Sequence, residues 1–377
     1  MKHTSQDNTS LSVSVITDIP ELRALEPEWN NLLKRSSTQQ MFLTWEWVVS
    51  WLDAIENKIT PYTVTVRDTD GRLCGLAPFY FWRYDLLKFP IDVLRPLADH
   101  ATGLMYPSWI IDEDNSTAIS TAIATELANR RKDFDLIWMP RMASWNPGVD
   151  YIEKGFQHTG LTVRKRPTSY SAIQLPSTTD EYRGILSKSV AKNLRWRLNK
   201  IRKSEGAIVE CNNTTDVDQF MHALFDLHGK RWRQKGEAGV FVRRPLEKRF
   251  YEEYLPKAAS TGWLRLKAIK SSNTFKAIKL GYAYDNTLLS VQGGYDPDYI
   301  SGAANVLLFD VICGAIEEGL EVYDFLNTHT NHKNQWRGEE RFGIDLYVTS
   351  NSLISKAISQ LGIWPTGRYL RPIEIQT

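Results

Sequence analysis

Hydrophobic and polar positions alternate along Leu11–Thr17 with the period of a strand, and Leu22, Leu25, Trp29, Leu32 and Leu33 then recur at helical spacing over Pro20–Lys34. Phe42–Ile55 predicts a second, aromatic-rich helix. A hairpin follows, Tyr62–Arg67 and Arg72–Trp82, with Asp68-Thr69-Asp70-Gly71 supplying the turn. Pro107–Ile111 reads as a strand, Thr117–Arg131 as a helix, and Phe134–Met139 as a buried strand. Val149–Thr159 reads as a helix ending at Gly160, and Leu161–Leu175 as extended chain leaving the first half.

The second half repeats this grammar. Helices are predicted over Ser187–Glu205, Val217–Lys235 and Pro245–Thr261, with a strand at Ala207–Cys211. Trp263–Ile269, Phe275–Tyr284 and Thr287–Gly293 form an antiparallel meander, followed by a helix at Ala304–Glu318 and a strand at Glu321–Leu326. The shared order of hairpin, helix and buried strand predicts two related α/β units in tandem. Their expected extents are 1–175 and 176–377, joined at the turn-forming Pro176-Ser177-Thr178-Thr179.

Composition narrows the function classes. The 46 Lys and Arg against 44 acidic residues give a net charge of +2, so a polyanionic partner has to be met by a local patch rather than by the whole surface. The polar start MKHTSQDNTS lacks the apolar run of a signal peptide, and no stretch approaches the roughly 20 apolar residues of a membrane span. Cys74, Cys211 and Cys313 are isolated, with no metal-ligand spacing, which predicts buried thiols in a reducing cytoplasm and no metal cofactor. Thirteen tryptophans predict wide aromatic pockets or large cores.

Candidate chemistry concentrates in the second half. Ser301-Gly302-Ala303-Ala304 stands between a strand and a long apolar helix, where bare amides and the positive end of the helix dipole converge. Such a cluster either receives a phosphate or packs tightly on a neighbouring strand. Asp324 interrupts the apolar Val322-Tyr323-Asp324-Phe325-Leu326 and is either paired within the fold or turned into a cleft. His228, Arg231 and Trp232 share one helical face. Between Lys188 and Lys203 there are seven Lys or Arg residues and no acid, around an apolar stripe of Val190, Leu194, Leu198 and Ile201.

Four segments in order, "SKSVAKNLRWRLNKIRKSEG", "LHGKRWRQKGEAGVF", "GGYDPDYISGAANVLL" and "YDFLNTHTNHKNQW", resemble an acetyltransferase domain of the GNAT superfamily, specifically its CelD-like branch linked with cellulose and exopolysaccharide genes. "FLTWEWVVSWLDAI" and "RDTDGRLCGLAPF" resemble the first half of that branch, which is similar in fold to the FemAB-type tandem GNAT transferases. The resemblance implies an α/β (α+β) fold of tandem GNAT-like domains, each a mixed, mostly antiparallel sheet flanked by helices. It implies acetyl-CoA or another acyl-CoA as co-substrate, and a small-molecule or glycan acceptor. The FemAB alternative puts an aminoacyl-tRNA in the donor role, and a third class is a silent scaffold of polysaccharide machinery.

By the same resemblance, Gln292, Gly293, Gly294, Ser301, Gly302, Ala303, Ala304 and Asn305 would hold the cofactor. Compared with the family's Q/R-x-x-G-x-G/A loop, Tyr299–Ala304 lacks the leading basic or amide residue and the second glycine. Tyr295, at a strand end, either protonates the leaving thiolate or packs there, and Asp324, His228 and Lys333 are the other candidate catalytic residues. His329 and His332 flank the same loop. Arg231, Trp232 and Trp336 would bind substrate. The first unit has no comparable small-residue loop and is expected to be structural or acceptor-binding.

Overall fold

The computed structural model describes residues 11–86, 89–211, 214–326, 328–349 and 370–372. The chain divides into two compact units, 1–168 with 342–377, and 169–341.

In the first unit β1 (Ser12–Ile16), β2 (Pro61–Arg67) and β3 (Leu73–Leu86) run antiparallel. The expected Asp-Gly turn joins the last two. Asp68 Oδ1 accepts the amides of Asp70 and Arg72, and Gly71 takes a φ of 79° that its missing Cβ permits. Two helices, α1 (Ile19–Arg23) and α2 (Glu26–Leu33), replace the single one expected. The Asp18 carboxylate caps α1, and the Thr44 hydroxyl caps α3 (Trp45–Ala54). The sequence reading missed β4 (Phe89–Pro96), which pairs antiparallel with β3. The expected strand at 107–111 shrinks to β5 (Ile110–Ile111). After α4 (Ser116–Asn129) the chain returns as β6 (Leu136–Ala143), parallel to β4, and continues into α5 (Gly148–Phe156). Val64, Leu94, Ile123, Ile137 and Val348 are among the core residues packed between sheet and helices.

The second unit has the same topology. From β7 (Thr162–Gln174) the chain passes through α6 (Thr179–Ile185) and the basic helix α7 (Lys188–Lys203) to β8 (Ala207–Glu210). The helices α8 (Val217–Arg233), α9 (Val240–Arg243) and α10 (Pro245–Ser260) come next. β9 (Leu264–Ser271), β10 (Thr274–Tyr284) and β11 (Thr287–Tyr295) form the meander. Then α11 (Ala303–Glu317) crosses over to β12 (Val322–Asp324), parallel to β11 and antiparallel to β7. Leu194 and Ile201 of the α7 stripe are buried beside α11, and each such side chain contributes about 1.5–3 kcal/mol. Each unit is thus a mixed, mostly antiparallel sheet flanked by helices, as expected.

The unit boundary differs from the expected one. Thr178 is no linker residue: its hydroxyl caps α6. The division falls inside β7, because Lys165 and Arg166 pair with Glu153 and Asp345 of the first unit, while Ala172–Gln174 pair with β12. After α12 (Asn331–Asn334) a further strand missed in the sequence, β13 (Glu339–Thr349), pairs with β6 from Gly343 onward, so the chain from 342 belongs to the first unit. At the far end, β14 (Leu370–Pro372) pairs with β3. No helix among the described residues is long and apolar enough to cross a membrane.

Two features of the second unit generate predictions. A Cβ on Gly294 would stand 2.3 Å from the backbone nitrogen of His228 and 2.4 Å from Leu227 C, because α8 crosses β11 there. Neither backbone can step aside, so Gly294→Ala should lower unfolding stability by more than about 2 kcal/mol, read from the denaturation midpoint. Glu247 of α10 is buried, and burial pushes its carboxyl up to about 7, against the opposing charge of Arg244. Its stabilising contribution is therefore intact below the ordinary carboxylate range and is lost as pH rises through 7. Glu247→Gln should melt above the wild type at pH 8, by up to about 3 kcal/mol, and match it near pH 4.5.

Candidate functional site

The site begins where two strands part. β11 and β12 pair over only three residues, Thr287↔Val322, Leu288↔Tyr323 and Leu289↔Asp324. Beyond them β11 continues to Tyr295, whereas β12 stops. Asp324 Oδ1 accepts the Leu326 amide at 2.7 Å and holds Leu326 at a φ of 55°, while the Phe325 amide turns to Ser171 O at 3.0 Å. The register between β10 and β11 also slips at Leu280/Gly281, leaving Val291 as an extra residue. A bulge of this kind re-aims the amides next to it, and here it lies two residues ahead of Gly293, where β11 reaches the cleft.

A cleft of about 520 Å³ fills this opening, bounded by Gly293–Ser301, the start of α11 and side chains from α7, α8 and β10. At its base Gly302 caps α11 with a φ of 80°, a conformation that costs glycine nothing. A Cβ there would lie 2.3 Å from Arg197 Nε, so the glycine lets the guanidinium of an α7 residue lie across the loop, where Nε donates to Ser301 O at 3.2 Å. Gly302, Ala303 and Ala304 put no bulky side chain of their own on the first turn, where the Ala303 amide bonds Ile300 O and the Asn305 amide bonds Gly302 O, each at 3.0 Å. Tyr295, Ser301 and Asn305 line the same cleft, as do Gly293 and Gly294.

Arg231 also lines it, donating to Gly293 O at 3.3 Å with its guanidinium 5.9 Å from the Tyr295 ring. Trp232, on the same helix, turns away and donates its indole N–H to His228 Nε2 at 2.9 Å. That bond occupies the imidazole lone pair. Burial, with Arg231 and Arg243, draws the His228 pKa down to about 4. His228 is therefore a buried neutral acceptor outside the cleft wall, and its shared face with Arg231 is split between interior and opening.

The loop after β12 divides in the same way. His332 lines the cleft, and burial together with Lys333 lowers its pKa. Lys333 Nζ donates to Thr328 O at 2.9 Å, and burial draws it down to about 8 against the pull of Asp324. His329 Nδ1 meets Ser171 Oγ at 3.1 Å. Trp336 is 1% exposed and belongs to the core, its carbonyl receiving the Tyr182 hydroxyl. The Gln292 side chain bonds the buried Tyr251 of α10, and Gln292 is not among the residues that line the cleft. Among the described residues no cluster of three or more His, Cys, Asp or Glu is arranged to hold a metal.

Two cleft residues escaped sequence reasoning. Arg197 lies 104 residues from the loop it covers, and its only signal was the acid-free charge run of α7. Lys279 alternates unremarkably on β10, yet burial with Arg231 and Lys333 nearby lowers its pKa to about 8.

The first unit closes the matching position. β4 and β6 pair over Val93↔Leu136 and Leu94↔Ile137, and past them Arg95 stacks 3.9 Å from the Trp138 ring. Asp99 binds both Arg95 and the Tyr80 hydroxyl there.

Residues 188–334 match the family model of the acetyltransferase (GNAT) domain. No curated protein matches the chain in sequence. Among solved structures, FemX is similar with a TM-score of 0.62 and 11% identity, over 93% of this chain and 99% of FemX. The C-terminal domain of a putative lysylphosphatidylglycerol synthetase from Agrobacterium fabrum is similar with a TM-score of 0.53 and 8% identity, over 90% of this chain and 96% of that one. L-PGS from Bacillus licheniformis gives 0.52 and 13%, over 92% and 98%. At such identities the likeness is one of fold. With the two matching topologies it gives an α/β fold of tandem GNAT-like units, the second containing the stretch that matches the acetyltransferase (GNAT) domain model.

Proposed function

We propose that the second unit transfers an acyl group from acyl-CoA to a nitrogen or oxygen of a small-molecule or glycan acceptor. The observation that carries this reading is the cation-lined opening along β11, based on a helix N-terminus without bulky side chains. The residues fit a diphosphate. Gly302, Ala303 and Ala304 line the opening without bulky side chains, and Arg197 with Lys235 brings positive charge to it. Arg197 thereby takes the place of the basic residue that Tyr299–Ala304 lacks. When bound, acyl-CoA supplies a thioester whose carbonyl carbon bonds to the acceptor as its C–S bond breaks.

The chain's own groups then have assignable tasks. Backbone amides of Gly293–Tyr295, on the part of β11 that runs past β12, polarise the carbonyl. His332, held neutral at pH 7, takes the proton lost by the acceptor, and the Tyr295 hydroxyl gives one to the thiolate. Asp324 and Lys333 fix the loop that carries His332. The CelD-like affiliation, with a sugar or amino-sugar acceptor in polysaccharide synthesis, belongs to this reading, as does an acceptor-binding or structural first unit.

A second reading has one observation in its favour. The exposed cations of α7 continue outward from Arg197, with Lys200 stacked 4.0 Å from the exposed Trp196, which suits a donor as large as aminoacyl-tRNA.

Calorimetry separates the two. Acetyl-CoA should bind in the micromolar range and Arg197→Ala should weaken it about tenfold; binding to charged tRNA alone would favour the second reading. Asp324→Asn keeps an acceptor for the Leu326 amide but removes the charge that helps keep Lys333 protonated. Its kcat at pH 7 should fall at least tenfold, and an unchanged kcat would leave Asp324 the turn alone.

A further inference from the structure

One wall of the cleft gathers cations without anions. Lys279 on β10 stands opposite Gly293, and its stem crosses that glycine, whose added Cβ would meet Lys279 Cδ at 3.4 Å. The lysine stem thus runs alongside Gly293 to the cleft, which Lys279 lines. Arg231 arrives from α8 onto the same residue through Gly293 O, and His332 lies on the same cleft wall. Neither Lys279 nor Arg231 forms an ion pair among the described residues. Asp296, the one carboxylate among the described residues that line the cleft, is already held by Lys276 at 3.4 Å. Crowding half-buried cations is unfavourable until an anion joins them.

We propose that this wall binds the acidic group of the acceptor, a carboxylate or phosphate carried close to the accepting amine or hydroxyl, with Lys279 and Arg231 as its ligands. The inference rests on the acyltransferase reading and adds the acceptor's chemical class. Lys279 and Arg231 converge at Gly293 on β11 itself, whereas the diphosphate is assigned to Gly302 and Arg197. The same positive field disfavours the ammonium form of a neighbouring amine and so keeps the attacking lone pair available at neutral pH.

Two matched probe pairs test this: glucosamine 6-phosphate against glucosamine, and L-serine against L-serinamide. Each is titrated calorimetrically with and without saturating coenzyme A, and turnover is followed by thiol release from acetyl-CoA. At least one acidic member should bind tenfold or more tighter than its neutral partner, and the pair that responds tells phosphate from carboxylate. Lys279→Met should erase the difference while coenzyme A affinity stays within twofold, and Lys279→Arg should retain it. Equal binding within both pairs overturns the proposal. So does a Lys279→Met variant that loses coenzyme A affinity as steeply as acid affinity, because the cations then serve the cofactor's phosphates. A wild type that prefers the acidic probe but binds no coenzyme A would sink the acyl-CoA reading and leave the anion wall standing.

Discussion

The divergence of β12 from β11 is the constraint on which the candidate site depends. Three parallel pairs hold the strands together, and then a single carboxylate turns one of them away. Asp324 accepts the Leu326 amide in a left-handed conformation that a leucine adopts only when its surroundings compensate the cost. Had β12 run on beside β11, the backbone groups of Ser290–Tyr295 would be spent on a ladder. Because it does not, Gly293, Gly294 and Tyr295 border an opening, where the strand fixes their positions.

Glycines then decide what reaches the opening, each for a different reason. Gly294 admits the backbone of α8, Gly293 lies close under Ile278 O of β10, and Gly302 admits the guanidinium of Arg197. Side chains from three separate elements thus converge on a strand and loop that contribute almost none of their own. The resulting field is positive, since the one carboxylate among the described residues that line the cleft is already paired. That field is what an anionic donor and an anionic acceptor would meet.

The two units show how one topology can be left open or filled. Both pair a crossover strand in parallel with the end of an antiparallel meander. In the first, Arg95, Trp138, Asp99 and Tyr80 occupy the space beyond the pairing, and a buried charge of this kind is retained only when it is partnered. In the second the equivalent space is the cleft. Fold likeness to FemX and to lysylphosphatidylglycerol synthetase domains is compatible with either arrangement, so function follows from the side chains at that position rather than from the architecture.

Periodicity and capping residues in the sequence were enough to place most helices and the meander, because those signals are local: the Ser187 hydroxyl on Val190, the Asp68 turn, the apolar stripe of α7. The small-residue cluster before α11 was legible for the same reason. β4 was hidden by the prolines within and at the end of Phe89–Pro96, and β13 by a burial pattern that follows its partners rather than a clean alternation. Its return to the first unit is a long-range pairing that no local pattern encodes. Tertiary structure alone decided which candidates meet. It spent the His228 lone pair on Trp232, buried Trp336 in the core, and brought Arg197 to a loop remote in sequence. A side chain's chemistry is written in its identity, but its availability depends on neighbours supplied by folding.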